Sequence, residues 1–178
     1  VGPARRFFRA NSGVSAVEFA LIAPLMILLF FGLGELGQGL MAQRRTSHIA
    51  STIGDLSAQA TTLHQSDITD IFSVANIMMA PLPTSTLKMR ITSVTAGNDA
   101  NKTPKVDWSK GQGLSDLGTG TTVTVPVGLL TASGDSVIMA ESTYTYASPV
   151  GVVLPHGLNF SETFYFRPRK STNVTYSP

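Results

Sequence analysis

The sequence predicts an α+β fold carried on a long amino-terminal helix that crosses a membrane. Three observations lead there. A run without charge extends from Phe19 to Gly34. Helical spacing of apolar residues continues beyond it, and from Thr86 the period changes to two. The 178 residues have room for one modest domain plus a membrane segment. They contain no cysteine, which removes disulfides, thiolate metal sites and cysteine nucleophiles together. The exported part must hold itself by its core or by its neighbours.

Residues 1–13 carry Arg5, Arg6 and Arg9 and read as a cytoplasmic leader. Residues 14–40 read as the transmembrane helix. From Phe19 to Leu40 there are 22 residues, with Glu35 and Gln38 the polar ones, and about 20 are needed to span a bilayer core. The arginines before the span predict that its amino-terminal side is cytoplasmic, although Arg44 and Arg45 weaken the bias. Glu35, near the far boundary, is expected to reach headgroups or water. A cleaved secretory signal is the rival reading. Its apolar region would be shorter, about 7–15 residues, and small residues would precede the cut. Pro24 cannot donate to the preceding turn; either it kinks or loosens the helix there, or the span tolerates it as membrane helices do. Gly32, Gly34, Gly37 and Gly39 crowd the end of the span. They either let another helix approach closely or make a flexible exit from the membrane.

Residues 41–80 form an extended helical region. Ile49, Ile53, Leu56, Ala60 and Leu63 step by four and three, a narrow seam that keeps the helix running to about His64. The seam fits either a partner helix or the chain's own sheet, and the second is preferred. Ser66 and Asp67 signal a new helix to Met79, with Ile68, Ile71, Phe72 and Ala75 on one face. Met78 and Met79 are read as core fillers.

Residues 81–178 form the β-rich part. Leu87–Thr92 alternates cleanly; Lys105–Trp108, Thr121–Val127, Val137–Ala147 and Leu158–Arg167 are further strand candidates. Four or five strands suggest an antiparallel sheet with one face on the helices. Glu162 falls on an apolar side, so it pairs, sits at an edge or marks a bulge. Trp108, Tyr144, Tyr146 and Tyr165 are read as strand packing, with a surface for other subunits as the alternative. The tail after Arg169 is polar and expected to fray.

The sequence offers little chemistry. The glycine-rich stretch Gly111–Gly120 lacks the ending of a phosphate-binding loop. Asp99, Asp107 and Asp116 do not have calcium-loop spacing. His48, His64 and His156 lie far apart. No metal, cofactor or catalytic residue is assigned. The net charge of +2 is small, and the basic residues outside the leader and Arg167, Arg169 and Lys170 are scattered. That gives no case for nucleic acid.

Glu18 is the anomaly. It sits where the membrane helix begins, and a charge in the bilayer costs roughly 2.5–3.5 kcal/mol on insertion scales. A cut after Gly13 would supply a reason. It would leave an ammonium on Val14, one turn from Glu18, since residues i and i+4 share a helix face. The carboxylate could pair with that terminus or with a neighbouring subunit's.

This arrangement resembles the processing site of type IV prepilins in the tight-adherence (Tad) version. Val17-Glu18-Phe19-Ala20-Leu21, then Pro24, then Gly32-Leu33-Gly34-Glu35-Leu36-Gly37 are similar to the TadE/TadG-like pseudopilins over residues 12 to about 45. The resemblance implies cleavage by a prepilin peptidase after Gly13. It implies register or assembly roles for Glu18, Phe19 and Pro24, with local melting of the helix at Pro24 on packing. It also implies a minor pilin or assembly component in the bacterial inner membrane. The partners would be other pilins or pseudopilins and the pilus assembly machinery, and the carboxyl-terminal domain would be periplasmic or, in a pilus, extracellular. The alternative is an unprocessed, signal-anchored periplasmic binding module that recruits an envelope partner.

Overall fold

The structure, a computed structural model, describes residues 12–149, 151, 154 and 156–178. The leader arginines Arg5, Arg6 and Arg9 lie outside the described residues. The chain divides into two compact units, Val1–Gly39 with Ala147–Gly157, and Leu40–Tyr146 with Leu158–Pro178.

Helix α1 (Ser12–Ala58) runs 47 residues without interruption. It passes through Pro24 as helix, the outcome in which the span tolerates the proline. Pro24 has no N–H for the carbonyl of Ala20, but the flanking turns carry the helix on. The glycines near residue 35 are helical too, not a flexible exit. α1 stops at Ala58, short of the expected His64. Its last turn tightens, with the N–H groups of Gln59 and Ala60 donating to the carbonyls of Leu56 and Ser57. The chain then enters strand β1 (Thr62–His64).

In the second unit the seam is intramolecular. Ile49, Ala50 and Ile53 are fully buried, the Ser142 hydroxyl donates to the Thr46 carbonyl at 2.7 Å, and Gly54 faces Ala140 and Phe166. Small residues at 50 and 54 allow this close approach. Leu56, counted in the seam, is exposed, and Leu63 is buried from β1 instead.

Helix α2 (Gln65–Met78) begins two residues before the expected Asp67. Asp67 still marks the start: its carboxylate accepts the His64 backbone N–H at 2.8 Å from inside the first turn. Ile68, Ile71, Phe72 and Ala75 form the buried face, as their spacing predicts. Met79 is fully buried and Met78 half-buried.

Strands β2 (Lys88–Ala96), β3 (Pro104–Gln112), β4 (Ser136–Tyr146) and β5 (Leu158–Phe166) form an antiparallel sheet in the order β3-β2-β4-β5. This is the expected α+β architecture. One face of the sheet receives α1 through Ala140, Ser142 and Phe166. The other holds a second cluster, Val94, Val137 and Met139. Val123 and Val125 cover that cluster with Leu117, Leu129 and Leu130. Thr121–Val127 is therefore not the strand its β-branched residues suggest. It runs beside the outer edge of β3 through an isolated bridge at Thr122 and backbone hydrogen bonds at Thr121 and Val123, and its valines reach over the cluster. Strand β3 is longer than the predicted Lys105–Trp108.

The tail does not fray. Strand β6 (Thr175–Ser177) pairs in parallel with β1. Val174 is fully buried, and its carbonyl accepts the Trp108 indole N–H at 2.7 Å. Lys110 Nζ stands 4.9 Å from the centre of the Tyr176 ring.

A candidate assembly helix

In the first unit, α1 exposes apolar side chains on every side. Val14, Val17, Phe19, Leu21, Leu25, Phe30 and Leu33 are all exposed. A helix apolar all round belongs in lipid or inside an assembly, and α1 is long and apolar enough to cross a membrane.

Gly13 is the second residue of this helix, and open space surrounds the position a Cβ would take. Val14 follows, exposed, and Glu18 stands one turn further on, also exposed. The helix thus places Val14 and Glu18 on one face, as i,i+4 spacing requires. No described residue donates to the Glu18 carboxylate. Phe19 is 73% exposed, so this chain offers it no packing. Glu18, Phe19 and Pro24 lie within two turns of one another. Glu35 lies roughly 25 Å further along, at 1.5 Å per residue.

Glu35 differs from expectation. It is 3% exposed rather than directed at headgroups or water, and its carboxylate accepts the Leu154 backbone N–H at 2.9 Å. It anchors the backbone at Leu154. Nothing in its spacing announces this, because the donor lies 119 residues away. Beside it runs a groove of about 610 Å³, lined chiefly by Phe30, Phe31, Leu33 and Pro149.

Asp99, Asp107 and Asp116, which lack calcium-loop spacing, have structural work. Asp107 accepts from Thr95 Oγ1 at 2.5 Å and from Asn173 Nδ2 at 3.2 Å, pinning the tail to the sheet. It occupies the bulge where β3 carries one residue more than β2, between Trp108 opposite Ser93 and Val106 opposite Val94. Asp116 accepts the Gly111 N–H at 2.8 Å. Hydrogen bonds from the Thr103 hydroxyl and N–H hold the Asp99 carboxyl below its ordinary pKa. The N–H groups of Ala132 and Thr131, and the Thr131 hydroxyl, do the same for Asp135. Burial pushes the Tyr144 and Tyr165 phenols up. Trp108, Tyr144 and Tyr146 are buried, which is strand packing rather than a displayed aromatic surface. Sequence reasoning missed the paired Arg90 and Glu141, bonded at 2.7 and 3.0 Å on neighbouring strands. The signal lies in the register, which sets the two directly opposite. Among the described residues no three His, Cys, Asp or Glu side chains cluster as metal ligands would.

Fold and helix together define a class: an α+β domain with one long apolar anchor helix. The family model for TadE-like protein matches residues 13–54, and the chain is similar to that family over this stretch. Comparison with curated proteins gives no match, and comparison with solved structures gives none.

Proposed function

We propose that this protein is a membrane-anchored pseudopilin, cut by a prepilin peptidase after Gly13, that takes part in Tad-type pilus assembly as a minor pilin. The observation that carries the reading is the TadE-like match, which begins at residue 13 and covers the exposed apolar helix. It supports a Tad pilus-related minor pilin role and membrane anchoring.

The finer steps follow from the helix. Before assembly, α1 lies in the inner membrane with its amino terminus cytoplasmic and residues 41–178 periplasmic. Cleavage after Gly13 frees an ammonium on Val14. Glu18 pairs with it, or with that of an adjacent subunit, and so fixes the axial step between helices. A buried pair of this kind favours specificity more than stability. Phe19 and the helix around Pro24 pack against neighbouring subunits, and the protein works as an initiating, capping or interspersed subunit.

The test is the amino terminus of the mature protein from membranes, measured by mass spectrometry with and without Gly13→Ala. A terminus at Val14 that shifts or vanishes in the variant supports the reading. Retention of residues 1–13 in the native protein would overturn it and leave an unprocessed anchored binding module.

A further inference from the structure

The two edges of the four-stranded sheet are treated differently. The outer edge of β3 is closed by the chain itself. The Val106 N–H donates to the Thr121 carbonyl at 2.9 Å, Gly120 N–H to the Val106 carbonyl at 2.7 Å, and Val123 N–H to the Pro104 carbonyl at 3.1 Å. The outer edge of β5 receives no backbone hydrogen bond from any other described segment. An open row of N–H and C=O groups is a template for another strand, and proteins ordinarily blunt it with proline, charged side chains, a bulge or a short strand. Of these β5 has only the single charge of Glu162, which discourages an uncharged or acidic strand and leaves a cationic one admissible. It runs nine residues, Leu158–Phe166, without proline, lysine or arginine. Its pairing to β4 is continuous from Tyr146 opposite Leu158 to Ile138 opposite Phe166.

The side chains say what would pair there. Leu158, Phe160, Phe164 and Phe166 alternate along one side, half-buried, and Glu162 interrupts them at the centre. Glu162 has no hydrogen-bond or ionic partner among the described residues, and its neighbour on β4 is the neutral Ser142. A carboxylate between two phenylalanines on an open edge calls for a cation directly across the pair, where opposite charges stabilise and like charges repel. A second copy of this strand fails that requirement. Antiparallel pairing about the centre of β5 would set Glu162 against itself.

We propose that the outer edge of β5 docks an extended segment of another protein, a strand with alternating apolar residues and a lysine or arginine opposite Glu162. Main-chain hydrogen bonds supply the attachment and the central ion pair supplies the register. The inference is independent of cleavage at Gly13 and of the pilus reading.

The test uses the full chain in lipid nanodiscs. The probe is the peptide Val-Thr-Val-Thr-Lys-Thr-Val-Thr-Val, N-methylated along one edge to prevent self-association, and compared with its glutamate-centred counterpart. Binding is read by fluorescence anisotropy, and the site by amide hydrogen exchange over residues 158–166. The expected result is slowed exchange in β5, with the lysine-centred probe binding on the order of ten-fold tighter. Glu162→Lys reverses that preference. Glu162→Gln, nearly isosteric, removes the preference but keeps binding, and covers the case in which Glu162→Lys folds poorly. Three results would overturn the proposal: equal affinity for both probes, unchanged exchange over β5, or dimerisation of the peptide-free chain with β5 protected, which would make the occupant a second copy.

Discussion

Gly54 provides the sharpest check on how α1 sits against the sheet. A Cβ there would lie 2.5 Å from the Phe166 ring carbons Cδ2 and Cε2 and 2.8 Å from the Ala140 Cβ. The ring belongs to an edge strand and can yield. The Ala140 methyl cannot, because it is fixed to a strand bonded on both sides. Two effects oppose each other in Gly54→Ala. Helix propensity favours alanine by about 1 kcal/mol. Overpacking a close contact costs about 1–3 kcal/mol. The contact distance places this position toward the costly end, for a net loss of about 2 kcal/mol. That loss corresponds to a fall of about 4–8 °C in Tm for a chain of this size. The assay is thermal unfolding of the full chain in nanodiscs, followed by the fluorescence of Trp108, the single tryptophan. Gly54→Leu should unfold far earlier. Gly37→Ala, where open space surrounds the new methyl, should cost nothing. If Gly54→Ala raised Tm, the helix would not lie where its small residues place it.

Four further outcomes follow. Glu141→Ala leaves the Arg90 guanidinium, 17% exposed, without its two-point partner, and should cost about 1–3 kcal/mol in urea unfolding. Asp99 and Asp135 have folded pKa values below their unfolded ones, so their contribution is present above the unfolded value near 3.8 and is lost as pH falls through the lower folded values; Asp135→Asn should flatten part of the acid limb in a pH titration of Tm. Removing residues 174–178 uncovers Trp108 and should shift its emission to the red and lower Tm, whereas an unchanged spectrum would mean that the tail is not docked. Glu18→Ala should leave membrane insertion intact but impair incorporation into pili, and normal pilus number and composition in that variant would count against a register role.

Local pattern revealed what local physics decides. The apolar span, the buried face of α2 and the alternation in β2 and β5 rest on spacing within a few residues, and each is found. What failed depends on distant partners. Thr121–Val127 has strand-forming residues, and Thr121–Val123 does run along the outer edge of β3, yet its valines serve a cluster on β2 and β4 and the pairing goes no further than one bridge. The tail looks polar because its one apolar anchor, Val174, is flanked by hydrophilic residues, and the indole that fixes it sits 66 residues away. The helix ended early because Leu63, in phase with the seam, reaches the core from a strand instead. In the candidate site, Glu18 stood out because it contradicts its surroundings, while the role of Glu35 rests on a loop donor invisible to any periodicity.

Glu18 and Glu35 share one helix and meet opposite fates, and the contrast bears on function. A carboxylate in a water-poor setting needs donors, because desolvation otherwise costs several kcal/mol. Glu35 has the Leu154 N–H within its own chain. Glu18 is surrounded by exposed apolar side chains and by no described donor. Were it merely a tolerated surface charge, the helix around it would be polar on that side; Val14, Val17, Phe19 and Leu21 make it apolar all round. The proposed function meets that demand with a cation created or brought in after synthesis. Cleavage after Gly13 would create an ammonium one turn away, and packing of a second subunit would bring another. On the proposed reading both supply a cation for Glu18, and the proposed processing site and assembly contact then fall on the same turn of helix.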